Sequence, residues 1–241
     1  MSKATEERAL TFSIQDYLKS IYELTASGEA ASTNALAARL GVSAASVTGM
    51  VQKLAALRPA LVVYEKHRGV RLTQRGRRAA LEVIRHHRLL ETWLVRSLGY
   101  PWDEVHSEAE RLEHAMSDHL EQRISAALGN PDRDPHGEPI PSEHLRMPPD
   151  HSIPLSELEA EKEAVVRRVR ADNKAVLRRL RELGLVIGAP LKILPSASQN
   201  EVMRVQVGGS AQAVTLASSI TRSLYVEPIK KSGKSRPRRV A

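Results

Sequence analysis

Between His87 and His119 the chain places carboxylates and imidazoles at helical spacing. His87 and Glu91 are four residues apart, as are His106 and Glu110, and Glu110 is followed by Glu113 and His114. Residues three and four apart share one face of an α-helix. Two segments, broken at Gly99-Tyr100-Pro101, therefore each present a mixed carboxylate–imidazole stripe. Leu89, Leu90, Leu94, Leu98, Val105, Leu112 and Met116 are interleaved with it. Oxygen and nitrogen ligands converging inside a helical bundle make a site for a divalent metal ion. Two plainer readings compete: solvated i,i+4 pairs, and a capping box in which Glu110 serves Ser107. Against the capping box, Pro101 is a better first helical residue, and a start there puts Ser107 inside the helix.

The elements that must position these groups begin upstream. Residues 13–26 carry Ile14, Tyr17, Leu18, Ile21, Tyr22 and Leu24 at helical spacing, with Ser13 as N-cap and Asp16 in the first turn. Taken alone, Asp16 reads as an acid complementing the helix dipole. Ser32 or Thr33 then caps a short helix, Gly41 breaks it, Val42 plugs the junction and a second helix starts at Ser43. This is the helix-turn-helix pattern, although two packed helices with a Gly turn also occur in proteins that never touch DNA. Small residues open the second helix (Ser43, Ala45, Ser46), followed by Thr48, Gln52 and Lys53. Small side chains let a helix approach DNA closely, and Ser, Thr and Gln reach phosphates and base edges. With Thr33 and Asn34 of the first helix, and Arg68, these are the expected DNA contacts.

Leu61–Tyr64 and Val70–Thr73 read as a short hairpin around Lys66-His67-Arg68-Gly69, which makes the motif winged and its tip cationic. A helix from about Thr73 runs through His87 to about Leu98. Residues 130–154 hold seven prolines and form a linker rather than a helix or central strand. Beyond it, Val165–Val169, Leu191–Leu194, Val202–Val207 and Ser223–Val226 read as strands, and Asn173–Leu183 as a helix closed by Gly184. Ala211–Thr221 reads as a helix, with loop plus strand as the alternative. Short strands with one helix suit a small β-barrel, and nothing in it suggests catalysis.

Composition narrows the classes. The 241 residues allow more than one domain, and at 3% aromatics the cores must be built from Leu, Val, Ala and Ile. Without cysteine, disulfides, thiolate metal sites and thiol switches are excluded. No run approaches the length of a bilayer span, and MSKATEERAL lacks an apolar signal core, so a cytoplasmic protein is expected. The net charge is +8. Six basic residues from Lys230 to Arg239 form a basic tail, read as disordered, which leaves only about +2 for the folded body. Global charge therefore does not establish nucleic-acid binding.

Several stretches together resemble one family, the metal-dependent repressors related to the diphtheria toxin repressor, and its manganese-sensing branch. They are DYLKSIYEL (Asp16–Leu24), VVYEKHRGVRLTQRG (Val62–Gly76), HHRLLE (His86–Glu91), VHSEAERLEHAMSD (Val105–Asp118) and DPHGEPIP (Asp134–Pro141). The last domain is similar to the SH3-like, FeoA-type module of that family. The resemblance implies a mainly α fold with small β elements. Its parts would be a winged helix-turn-helix domain at 1–76, a helical metal-binding and dimerisation domain at 77–147, a linker at 148–154, an SH3-like domain at 155–228 and the basic tail at 229–241.

Carried over residue by residue, the resemblance implies a first metal site of Asp16, Glu110, Glu113 and His114. It implies a second of His87, Glu91 and His106, with Asp172 as a substitute ligand from the last domain. Asn173 and Val176 stand where iron-type members supply acidic and amide ligands, and Lys19 where some manganese-type members place a carboxylate. The soft methionine and cysteine ligands of iron-type members are absent, which favours Mn(II), with Fe(II) the runner-up. The implied function is a metal-activated repressor of metal-uptake genes, a homodimer on a pseudo-palindromic operator, with the interface on Leu112, Met116, Leu120 and Ile124. A metalloenzyme is the first rival, but no HExxH, nucleophile motif or phosphate loop supports it and no catalytic residue is assigned. A winged-helix regulator answering to an organic ligand is the second.

Overall fold

The computed structural model describes residues 10–26, 28–170, 173–195, 202–210 and 212–229. Asp172 and the basic tail from Lys230 lie outside the described residues. The chain divides into two compact units. The first takes in the residues up to Leu98, Ser107–Asp132 and Ile140–Pro148; the second takes in Gly99–His106, Arg133–Pro139 and the chain from Pro149 onward.

In the first unit, α1 (Phe12–Leu24) is followed by α2 (Thr33–Leu40) and α3 (Ala44–Ala56), then the hairpin of β1 (Val62–Glu65) and β2 (Gly69–Leu72), then the long α4 (Gln74–Leu98). Thr11 rather than Ser13 caps α1, its hydroxyl accepting from the Ile14 N–H. Ser32 and Ser43 cap α2 and α3 by the same device. Gly41 takes the left-handed conformation that ends α2, at φ 66°. Val42 does not plug the junction: it is exposed. Its place is taken by Leu18, Ile21, Leu36, Val47, Val51 and Leu54, fully or almost fully buried with Leu61 and Val70 of the wing. The apolar stripe of α3 thus faces inward and leaves Ser43, Ala45, Ser46, Gln52 and Lys53 exposed.

The wing pairs Val62 with Leu72 through Glu65 with Gly69 in antiparallel register. It is tied back by Ala31, which exchanges hydrogen bonds with Val70 at 3.0 and 2.9 Å. Gly76, in the first turn of α4, lies so close to the Leu61 carbonyl that a Cβ there would overlap it. That contact fixes where α4 leaves the wing.

Downstream, α5 (Val105–Leu112) does not begin at Pro101. Pro101 opens a turn whose carbonyl accepts from the Glu104 and Val105 N–H groups at 3.0 and 3.2 Å. A 3-10 turn, Glu113–Ala115, follows α5 directly, and α6 (Asp118–Ala127) follows that, capped by Ser117. Arg85 of α4 is buried and satisfied by Glu121 at 2.6 Å, the Pro141 carbonyl at 2.6 Å and the Ser125 hydroxyl at 3.3 Å. Met116 and Ile124 are buried, whereas Leu112 and Leu120 are exposed.

The second unit holds β3 (Ile153–Pro154), β4 (Glu163–Val169), α7 (Lys174–Glu182), β5 (Pro190–Ile193), β6 (Val202–Val207), β7 (Ala213–Ala217), α8 (Ser218–Ser223) and β8 (Leu224–Pro228). Its strands form one antiparallel sheet in the order β3-β8-β4-β5-β6-β7, the small SH3-like architecture expected of this region. Ala211–Thr221 is not one helix: its first half adds β7 to the sheet edge and its second half turns into α8. The alternating Val-Thr-Leu run of β7 pairs with β6, and that pairing outweighs local helix propensity. Leu155, Ala164, Val166, Leu185, Val205, Leu224 and Val226 form the core, all fully buried.

The DPHGEP stretch is a tight turn within this unit. Asp134 Oδ1 accepts from the His136 and Glu138 N–H groups at 2.8 and 2.9 Å. His136 Nε2 donates to the Trp102 carbonyl at 2.7 Å, its ring stacked on Trp102. Gly137, at φ 82°, rests against the Arg167 carbonyl of β4, where a Cβ would collide. Asp150 anchors the approach to β3, accepting from Ser152 Oγ at 2.8 Å and pairing with Arg168 at 3.2 Å and Arg133 at 3.3 Å. Burial pushes the Asp150 carboxyl up, but Ser152 and the two guanidinium groups outweigh it and hold it below the usual range.

Three outcomes follow for stability. Gly76→Ala should cost about 1–3 kcal/mol in urea unfolding, because the backbone must move. Gly49→Ala, whose Cβ meets open space in the middle of a helix, should be neutral or stabilising by up to ~1 kcal/mol. Asp150 has its folded pKa lowered, so its stabilisation is present above the unfolded value and lost as pH falls through the folded one. Asp150→Asn should therefore be less stable than wild type at pH 7, by about 1 kcal/mol, and the gap should close in acid below about pH 4.

Candidate metal centre

Asp16 sits in the second turn of α1 and Lys19 three residues on, so both project from one face while Leu18 and Ile21 go into the core. That face meets α4 and the 3-10 turn at Glu113–Ala115. Asp16, Glu113 and His114 place one ligand atom each within 4.8 Å of one another. His114 Nε2 is 2.9 Å from Asp16 Oδ1 and 3.7 Å from Glu113 Oε1.

The other face of the His114 ring is fixed as well. Its Nδ1–H donates to Gln15 Oε1 at 2.6 Å, and the ring stacks on Phe12 with centroids 4.9 Å apart. A second partner on Nδ1 orients the imidazole and presents Nε2 to the carboxylates, the usual arrangement behind a metal-ligating histidine. Gln15 and Phe12 escaped the sequence reading; their positions beside Asp16 on α1 were the available signal.

Glu113 is buried, its carboxylate taking Lys19 Nζ at 2.9 Å on each oxygen and Nδ1 of His87. Lys19 Nζ is also 3.2 Å from His87 Nδ1. Burial raises the Glu113 carboxyl, but the bonds and charges of His87 and Lys19 prevail and hold it low. For Asp16 burial is the largest influence and wins, with the Glu113 charge adding to it, so its carboxyl lies above the ordinary range. Burial lowers His87, and the Lys19 charge adds to that, yet the Glu91 and Glu113 carboxylates together prevail and its pKa is raised.

The expected first set divides at Glu110. The structure brings Asp16, Glu113 and His114 together, while Glu110 lies exposed on α5. Glu110, Glu113 and His114 were expected on one α-helical face, but the helix gives way to a 3-10 turn at Glu113, and the change of pitch redirects the last two inward. Of the second set, His87 and Glu91 lie one turn apart on α4, with Nε2 to Oε1 at 3.0 Å, and His106 is in the first turn of α5.

Two carboxylates and an imidazole, with the ring already oriented, suit a divalent ion of the first transition row. The residues present therefore fit such an ion in type and in convergence.

The residues expected to contact DNA are mostly exposed. Asn34, Ser43, Ala45, Ser46, Gln52, Lys53 and Arg68 are exposed, and Thr33 and Thr48 half-buried. Thr48 turns its hydroxyl back to the Ala44 carbonyl at 2.9 Å, and Arg68 pairs with Glu65 on the wing.

Matches to known proteins cover most of the chain. Residues 9–70 match the iron dependent repressor N-terminal DNA binding domain, 73–142 its metal binding and dimerisation domain, and 153–228 the FeoA domain. The iron-dependent repressor IdeR of Mycobacterium leprae is 33% identical over 225 residues, covering 88% of this chain and 96% of that protein. The diphtheria toxin repressor of Corynebacterium glutamicum is 30% identical, covering 88% and 95%. Among solved structures, a manganese-dependent transcriptional repressor in complex with manganese superposes with a TM-score of 0.82 at 40% identity, covering 90% of this chain and all of that one. ScaR with bound Zn2+ superposes at 0.77 and 34% identity, covering 90% and 99%.

The fold and these relatives define a class, the metal-dependent, DNA-binding transcriptional repressors, and not an enzyme. Within it, the chain belongs to the iron-dependent repressor family that includes the diphtheria toxin repressor. Among the described residues no helix is long and apolar enough to cross a membrane.

The buried pairing predicts a difference between the two carboxylates. In chelator, Glu113→Ala should destabilise the protein by roughly 2–4 kcal/mol, because it strands a mostly buried ammonium. Asp16→Ala, at a half-exposed residue, should change metal-free stability by less than about 1 kcal/mol. Urea unfolding of the two variants checks the ranking.

Proposed function

We propose that this chain is a Mn(II)-dependent repressor of metal-uptake genes that acts in the cytoplasm as a homodimer on a pseudo-palindromic operator. The observation that carries the reading is the meeting of Asp16, from the first helix of the DNA-binding region, with Glu113 and His114 from the segment after α5. When bound, the ion supplies positive charge that both carboxylates share. Asp16, Glu113 and His114 hold it, with Glu110 one turn back on α5 as a further ligand.

The rest of the mechanism lies in the chain. Asp16 fixes α1 against the 3-10 turn, and α1 carries Leu18 and Ile21 into the core that also seats α3. Steadying α1 therefore steadies α3. In a dimer with its interface on the Leu112–Ile124 segment, that sets the spacing of two recognition helices, which must match the helical repeat of DNA. Leu112 and Leu120, exposed in the single chain, supply apolar surface for the interface. Metal and operator then favour each other reciprocally, typically by ~1–3 kcal/mol.

Hard carboxylates with imidazole, and no thiolate or thioether among the three converging ligands, suit Mn(II). The 40% identity to a manganese-dependent repressor supports the same choice. Fe(II) is the second reading, favoured by the mycobacterial and corynebacterial relatives. Operator mobility shifts titrated with Mn(II), Fe(II) and Zn(II) at one fixed salt concentration test the proposal. Mn(II) should promote binding at micromolar levels, chelator should abolish it, and Asp16→Ala should weaken the metal-dependent part at least tenfold. Binding that ignores both chelator and Asp16→Ala would remove the mechanism.

A further inference from the structure

Lys19 stands inside the metal centre. Its side chain is 12% exposed and that of Glu113 only 1%, and Nζ lies 2.9 Å from both Glu113 oxygens. The same nitrogen reaches His87 Nδ1 at 3.2 Å. Glu113 Oε1 is also the atom 3.7 Å from His114 Nε2, so one carboxylate oxygen faces the ammonium and borders the Asp16–His114 pair. A divalent ion held by Asp16, Glu113 and His114 must take a lone pair from an oxygen already committed to a cation. It must also tolerate a like charge a few ångströms away in a poorly solvated space, where such repulsion is strong.

We propose that Lys19 sets the metal affinity of this site: its ammonium is a tethered cation that neutralises Glu113 in the metal-free protein and that an incoming divalent ion has to displace. The inference rests on the reading of Asp16, Glu113 and His114 as metal ligands. Two consequences follow together. The metal-free chain keeps a satisfied buried carboxylate and so stays folded while waiting for metal. The ion concentration needed to load the site is higher than the three ligands alone would require, because the competitor is intramolecular and cannot be diluted away. A merely structural Lys19 would give the first consequence without the second.

The experiment uses the full chain with Lys19→Met, which keeps the length and removes the charge, and Lys19→Gln, which keeps a neutral donor toward Glu113. Mn(II) binding is read from loss of the free-ion electron paramagnetic resonance signal, and metal-free stability from thermal unfolding in chelator. Both variants should melt below wild type without metal yet bind Mn(II) roughly tenfold or more tightly, and Lys19→Arg should stay near wild type in both. Asp16→Ala, made in the wild-type and Lys19→Gln backgrounds, identifies the titrated site. If Asp16→Ala removes the binding while Lys19→Met and Lys19→Gln leave Mn(II) affinity unchanged or weaker, the role of Lys19 is refuted and the site survives. If Asp16→Ala changes nothing in either background, the site itself is refuted.

Discussion

A buried carboxylate needs a cation, and Glu113 is the place where this chain meets that requirement. Its side chain is almost wholly removed from water between α1, α4 and the 3-10 turn. An unpaired charge there would be ruinous, so each neighbouring element contributes something positive or proton-bearing: Lys19 from α1 and His87 from α4. The elements around Glu113 are thereby held by charge as well as by apolar contact. Helix α1 is the shared part, since its other face supplies Leu18 and Ile21 to the core under α3.

The DNA-reading half was legible because every level of the chain agrees there. Ser32, Gly41 and Ser43 mark the ends of α2 and α3, Val47, Val51 and Leu54 keep helical period, and the hairpin has a polar turn between short alternating runs. Local signals of that kind survive folding unchanged. The cap at Thr11 lies two positions before Ser13, and Val42 is exposed; both are decided by packing that no single-residue preference encodes.

Of the candidate site, the residue types were legible and the geometry was not. Spacing alone put Glu110, Glu113 and His114 on one face, because an unbroken helix was assumed. The change to 3-10 pitch at Glu113 depends on what the segment packs against, which sequence periodicity does not register. The engagement of Lys19 with Glu113 joins residues 94 positions apart and has no local trace. The DPHGEP stretch was informative as a signature, yet its physical role became clear only with Gly137 lying against β4 and Asp134 bracing the turn. In the last region, β7 reads first as helix because its short Ala-Val-Thr-Leu-Ala run leads directly into the helix that follows it.

One arrangement bears on how such a regulator changes over generations. Phe12, Gln15, Asp16 and Lys19 all lie within two turns of α1, on the side away from the apolar core, and the surface of α3 shares none of them. Codon changes in this short stretch therefore remodel the surroundings of Glu113 and His114 while every side chain of α3 is inherited as it was.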